Sequence, residues 1–185
     1  MNAATLNVLA LSGSLRKGSF NTRLIEAAKG LAPKGMTIDI ASIRDIPLYD
    51  EDVRSQGVPA SVKTLAQKIR DADAVLISTP EYNYSIPGVL KNAIDWLSRE
   101  EKQPFDGKPI AIMGASMGKL GTARSQYHLR QVFVFLNGLV MTRPEVFLGA
   151  AHEAFNDDGT LKDDGTQKIV AELLEKLWAW TKRLN

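Results

Sequence analysis

Three short stretches hold most of the residues with which this chain could do chemistry. The first, Ser12-Gly13-Ser14-Leu15-Arg16-Lys17-Gly18-Ser19-Phe20-Asn21, gathers hydroxyls and a guanidinium just ahead of an amphipathic run. A helix start offers free backbone N–H groups and a partial positive charge, so a loop of this kind can wrap an anionic phosphate. Arg16 adds a planar fork matched to phosphate oxygens. The spacing Gly13-x-x-x-x-Gly18 imitates a nucleotide-hydrolysing loop, but Ser19 and Phe20 stand where that chemistry needs Lys and Ser/Thr. The Gly-x-Gly-x-x-Gly dinucleotide pattern is absent as well. What remains is a hydroxyl-rich site for a terminal phosphate, or, more plainly, a strand-to-helix turn capped by Ser19 or Asn21.

The second stretch is Thr79-Pro80-Glu81-Tyr82-Asn83-Tyr84-Ser85-Ile86-Pro87-Gly88. Its prolines stiffen a loop that displays Tyr82, Asn83 and Tyr84, which suits packing beside a flat heterocycle. The third runs from Gly114 through Ser116 and Gly118 to Gly121, glycines that would let backbone approach a ligand closely. Either alone could be ordinary turn chemistry.

Other chemistries are excluded by what the chain lacks. It has no cysteine, which removes disulfides, thiolate catalysis and Cys-ligated metals. His128 and His152 are the only histidines, and without clustered carboxylates no metal site is expected. Asn156-Asp157-Asp158-Gly159 has Ala154 at the first ligand position of a calcium loop and no closing Glu, so it reads as a turn, as does Asp163-Asp164-Gly165 ahead of the last helix. With 23 Lys+Arg against 21 Asp+Glu, the net charge of +2 disfavours nucleic-acid binding by phosphate neutralisation. No apolar run approaches the roughly 18 residues of a membrane span. Met1 to Leu11 has no basic start before its apolar residues and is expected to belong to the fold of a cytoplasmic protein.

The elements that must position these loops follow from hydrophobic periodicity. Strands are expected at Leu6 to Leu11, Met36 to Ala41, Ala74 to Thr79, Pro109 to Met113 and Leu139 to Phe147, the last broken by Arg143-Pro144. The first, third and fourth are apolar without alternation, the signature of central parallel strands covered on both faces. The second alternates and belongs nearer an edge. Helical stripes fill the gaps at Asn21 to Leu31, Ala60 to Asp71, Gly88 to Ser98, Gly121 to Leu136 and Gln167 to Leu184. Residues 1–185 therefore read as one doubly wound, three-layer α/β domain with a parallel sheet. In such sheets ligands bind beyond the carboxyl ends of the strands, and the three loops follow strands one, three and four.

On these loops, together with the continuation Val89-Leu90-Lys91-Asn92-Ala93-Ile94-Asp95-Trp96, the chain resembles the NADPH-dependent FMN reductase family, which includes quinone and chromate reductases. The resemblance implies a flavodoxin-like three-layer sandwich with a five-stranded parallel sheet. It places Ser14, Arg16, Ser19 and Asn21, with Phe20 among them, at the phosphate of a non-covalent FMN. Pro80, Glu81, Tyr82, Asn83 and Ser116 would lie along the ring and the flavin side chain. Members of the family are dimers or tetramers with the flavin near the interface, and Tyr84, Arg124, Tyr127 and Glu145 are the candidate contacts for a homodimer or homotetramer. The implied activity is hydride transfer from NADPH or NADH through flavin to quinones, other soluble acceptors or chromate, with no catalytic side chain. The alternative is a flavodoxin-type electron carrier, against which the near-neutral charge argues, since carriers steered to partners usually show a strong field of one sign.

Overall fold

The computed structural model describes residues 5–184, so the first four residues of the Met1 to Leu11 stretch, and Asn185, lie outside the described residues. Strand β1 (Leu6–Ser12) leads into helix α1 (Phe20–Gly30), followed by β2 (Met36–Ala41), α2 (Glu51–Ser55), α3 (Ala60–Asp71) and β3 (Ala74–Ser78). The chain continues through α4 (Gly88–Leu97), β4 (Pro109–Ala115), α5 (Ala123–Phe135), β5 (Leu139–Val140), β6 (Val146–Leu148) and α6 (Asp164–Leu184). All pairings are parallel, in the order β2-β1-β3-β4-β5 with β6 also on β4.

Alternate residues of the central strands point to opposite faces, and both faces are buried. Val8, Ala10, Leu76 and Met113 pack with α1 and α6, through Leu24, Ile25, Leu173, Leu174 and Leu177. Leu9, Leu11, Ile77 and Ile112 pack with α3, α4 and α5, through Ile69, Leu90, Trp96, Leu129 and Phe133. Each fully buried Leu or Ile contributes about 1.5–3 kcal/mol, which is why these unalternating runs sit at the centre. In β2 Met36 and Ile38 are buried on one face while Thr37 and Asp39 on the other turn outward, and it lies at the sheet edge.

Three expectations need revision. The fifth run is two short strands rather than one: β5 pairs with Pro109–Ile110 and β6 with Met113–Ala115, both on the same side of β4, with Pro144 in the gap. Proline has no N–H to give a ladder, so pairing lapses there. Helix α2 escaped the periodicity because it buries none of its residues; the Asp50 side chain caps it by accepting the Asp52 amide at 2.8 Å. Helix α6 starts at Asp164, ahead of Gln167, because Asp163 accepts the Thr166 amide at 2.6 Å and its hydroxyl at 2.8 Å. Asp164-Gly165 is thus helix, not turn, and the same bonds hold the Asp163 carboxyl below its ordinary pKa.

The carboxyl ends of β1, β3 and β4 are drawn together at one edge. Gly13 N–H donates to Ser78 O at 2.8 Å, Thr79 N–H to Met113 O at 3.0 Å and Ser116 N–H to Leu148 O at 2.9 Å. A buried side chain from α1 crosses the same edge. Asn21 Nδ2 donates to Ala115 O at 2.9 Å, while Asn21 Oδ1 accepts the Ala115 amide at 2.9 Å and the Ser78 hydroxyl at 3.0 Å. Among the described residues no helix is long and apolar enough to cross a membrane.

Asn21→Ala would orphan the Ala115 amide and carbonyl together, a cost of about 2–4 kcal/mol. The urea midpoint should fall accordingly with an unchanged m-value. An unaltered midpoint would show that water replaces the side chain without loss.

Candidate active site

Nine of the expected cofactor residues border one cleft of about 420 Å³ at this edge: Ser14, Arg16, Ser19, Phe20, Asn21, Pro80, Glu81, Tyr82 and Ser116. Asn83 lines the adjoining hollow with Tyr84, Lys119 and Arg124. The loops therefore converge as their positions after β1, β3 and β4 require.

The cleft is defined by what its hydroxyls have left to offer. Ser14 Oγ accepts the Arg16 amide at 3.3 Å, and Ser19 Oγ accepts the amides of Asn21 and Thr22 at 3.2 and 3.4 Å. Ser116 Oγ accepts the Gly118 amide at 3.0 Å. A hydroxyl whose oxygen already takes backbone N–H keeps its one proton to donate. Ser19 is the N-cap of α1, as the plainer reading of this loop expects. Arg16 lies over the Phe20 ring, 5.1 Å from its centroid, and makes no ion pair among the described residues. Hydroxyls that each keep a proton to donate, with an unneutralised guanidinium at a helix start, suit a fully ionised phosphate.

Two expected contacts are spent elsewhere. The Asn21 side chain is 2% exposed and bonded to Ser78 and Ala115, which leaves it holding the walls of the cleft rather than offering itself to an anion. The Glu81 carboxylate turns away to α5. It accepts the amides of Arg124 and Ser125 at 3.0 and 3.2 Å and the Arg124 guanidinium at 2.7 Å, capping a helix whose own N-cap, Thr122, makes no side-chain capping bond. A carboxylate at a helix N-terminus is favoured by the exposed N–H groups and the dipole.

The glycines of the third loop also answer to the protein more than to a ligand. A Cβ on Gly114 would meet Thr122 Oγ1 at 2.1 Å and Thr79 O at 2.3 Å, and one on Gly121, at φ 58°, would meet the Phe147 backbone at 2.7 Å. Only Gly118 leaves open room toward the cleft, its nearest neighbour being Ser116 Oγ at 3.5 Å.

Beyond Pro80 the backbone makes a two-residue hairpin. Tyr82 and Ser85 exchange hydrogen bonds of 3.1 and 3.0 Å, and Asn83 and Tyr84 between them have φ of 50° and 65°. Arg124 lies over the Tyr84 ring, 3.7 Å from its centroid, so two of the expected interface residues are already paired within the chain. Tyr127 packs edge-on against Phe147 at 6.1 Å, and a hydrogen bond to the Glu145 carboxylate raises its phenol above the ordinary range. His128 accompanies Ser85 Oγ at 3.0 Å, outside the cleft.

One neighbour was missed from the sequence. Arg44, in the loop after β2, donates to the Leu15 carbonyl and lines a hollow of about 280 Å³ behind the Ser14–Lys17 segment. The rule that ligands gather at strand carboxyl ends applies to β2 as well and would have found it.

A model of the NADPH-dependent FMN reductase family matches residues 6–153. The chain belongs to this family. It is 52% identical over 180 residues to an NAD(P)H-dependent FMN reductase of Pseudomonas aeruginosa, covering 97% of each chain. It is 52% identical over 164 residues to a quinone reductase of Escherichia coli K12, covering 87% of each. Among solved structures it resembles FerB, a flavoenzyme NAD(P)H:(acceptor) oxidoreductase from Paracoccus denitrificans, with TM-score 0.89 and 35% identity over 97% of this chain and 98% of that one. The fold is thus flavodoxin-like, and the protein is an NAD(P)H-dependent oxidoreductase with FMN as its cofactor. The donor set of the cleft fits that cofactor's phosphate.

Arg16→Ala should weaken FMN by about 1.5–3 kcal/mol, roughly ten- to a hundredfold in Kd, and leave riboflavin nearly unchanged, because riboflavin has no phosphate to lose. Fluorescence titration of the apoprotein with each flavin measures both. Equal losses would place Arg16 in the fold rather than at the phosphate.

Proposed function

We propose that residues 1–185 form one FMN-binding domain that passes reducing equivalents from NADPH or NADH to quinones, other small soluble acceptors or chromate. It works in the cytoplasm as a homodimer or homotetramer. The observation that carries this reading is the single cleft in which Ser14, Arg16 and Ser19 present donors at one end while Pro80, Tyr82 and Ser116 border the other and Asn83 lines the hollow beside it. In this reading the first three, with Phe20 steadying Arg16, hold the phosphate. Pro80, Tyr82, Asn83 and Ser116 flank the ring. The relatives named as quinone reductases support the acceptor class.

When bound, FMN supplies two-electron chemistry by accepting hydride at N5 and passing it on. The chain's own part is to bind, orient and shield. Of the described side chains bordering the cleft, Glu81 is the only carboxylate, and it is engaged with Arg124 and the start of α5, so no carboxylic acid there stands free as a proton donor. Protons then come from water. The net charge of +2 gives no strong field for docking a protein partner, which favours the enzyme over a carrier.

The oligomer is supported by exposed apolar surface around the cleft. Tyr82, Tyr84, Met117, Leu120 and Tyr127 are all about half exposed or more, an apolar cluster that a second copy would cover. In this reading Tyr84, Arg124, Tyr127 and Glu145 lie at that contact.

Purified protein should release FMN on acid treatment at one per chain. It should oxidise NAD(P)H with a quinone without any partner protein, giving parallel double-reciprocal lines if both substrates use the same exposed ring face. His128→Ala and His152→Ala should leave the anaerobic rate of flavin bleaching by NAD(P)H within a few fold. Recovery of FAD, or a flavin that NAD(P)H cannot bleach until acceptor is added, would sink the proposal, and light scattering showing a monomer at micromolar concentration would sink its oligomeric part.

A further inference from the structure

The hairpin at the ring end of the cleft carries a conflict that the chain resolves from outside it. A two-residue turn with positive φ at both central positions prefers Asn followed by Gly, and here the second position is Tyr84, at φ 65°. A bulky residue seldom adopts that conformation, and the hairpin's own support is the single Tyr82–Ser85 bridge. Compensation comes from Arg124. Its guanidinium lies 3.7 Å from the centroid of the Tyr84 ring and 2.7 Å from Glu81 Oε1, while the Glu81 carboxylate, 8% exposed, is rooted in the first turn of α5. Glu81 immediately precedes the hairpin and Tyr84 lies within it, so ion pair, stack and backbone close a ring. One helical turn further along α5, His128 holds Ser85.

We propose that Glu81, Arg124 and Tyr84 form a clamp that fixes the Tyr82–Ser85 hairpin in the shape needed at the flavin ring, so that Glu81 and Arg124 are positioning residues rather than contacts to the cofactor. Glycine at position 84 would relax the turn but could not stack on Arg124; the tyrosine trades a relaxed backbone for that handle. The clamp rests on the reading of this cleft as the FMN site, and it implies a signature opposite to that of Arg16. Loss of the clamp disturbs the ring, which FMN and riboflavin share.

The test measures FMN and riboflavin affinities of the apoprotein for Glu81→Gln, Arg124→Met and Arg124→Lys, with visible circular dichroism of bound flavin, thermal midpoint and light scattering on the same samples. Arg124→Met should weaken both flavins by a similar factor of about tenfold and alter the flavin dichroism, with Glu81→Gln in the same direction and Arg124→Lys milder because the ion pair survives. Adding Tyr84→Gly to Arg124→Met, which gives the turn its preferred residue, should restore both affinities to within about threefold of wild type. Riboflavin affinity unchanged in Arg124→Met, a loss confined to FMN, or a double variant no tighter than the single one overturns the clamp. So does a loss that follows dissociation of the oligomer and is not restored by Tyr84→Gly. Wild-type protein that binds neither flavin would instead overturn the functional reading itself.

Discussion

The Asn21 amide is the interaction on which the geometry of this cleft depends. Where β4 ends, the Ala115 amide and carbonyl meet a side chain instead of a neighbouring strand, and Asn21 serves both as a strand would, at 2.9 Å each. Its oxygen also takes the Ser78 hydroxyl at the end of β3. One side chain thus fixes the start of α1 against the ends of two strands. Ser19, two residues earlier, caps the same helix, so the donors of the first loop inherit their direction from a buried anchor. Burial makes the anchor rigid, because every group it releases would be left unpaired away from water.

That arrangement gives the cleft its electrical asymmetry. The whole chain carries only +2, but among the described residues Arg16 has no carboxylate partner, while Glu81, the acid on the opposite wall, is neutralised by Arg124 and the α5 amides. The field at the first loop is therefore local and positive, and the opposite wall is nearly neutral. A phosphate is attracted to one end and a flat uncharged ring is tolerated at the other without any global charge excess.

Much of this was legible in the sequence, and the reason is physical. Unalternating runs such as Ala74-Val75-Leu76-Ile77 can be satisfied only between two helical layers, so β1, β3 and β4 had to be central, and the rule for strand ends then brought three loops together. What was not legible is the partnership of side chains that tertiary approach sets. Asn21 and Ala115 are 94 residues apart, and Glu81 and Arg124 are 43 apart. Nothing local announces that an Asn and a Glu beside a ligand loop are occupied by backbone. The same holds for Gly114 and Gly121, whose neighbours Thr122 and Phe147 become crowding only once the strands are paired. Helix α2 was invisible for the opposite reason: with no buried residue it leaves no periodic trace.

The two ends of the cleft are consequently built by different means. The donor end takes its hydrogen bonds from a turn and a helix start within ten residues of chain, and its seat from the buried Asn21 anchor. The ring end is made by a strained hairpin held through a stack and an ion pair to another helix. A buried anchor changes little when distant surfaces change, whereas a hairpin that needs Arg124 responds to anything that moves the start of α5. In the proposed reading, retention of the cofactor and the shape presented to its substrates are carried by separate sets of residues, and the second set can be altered without dismantling the first.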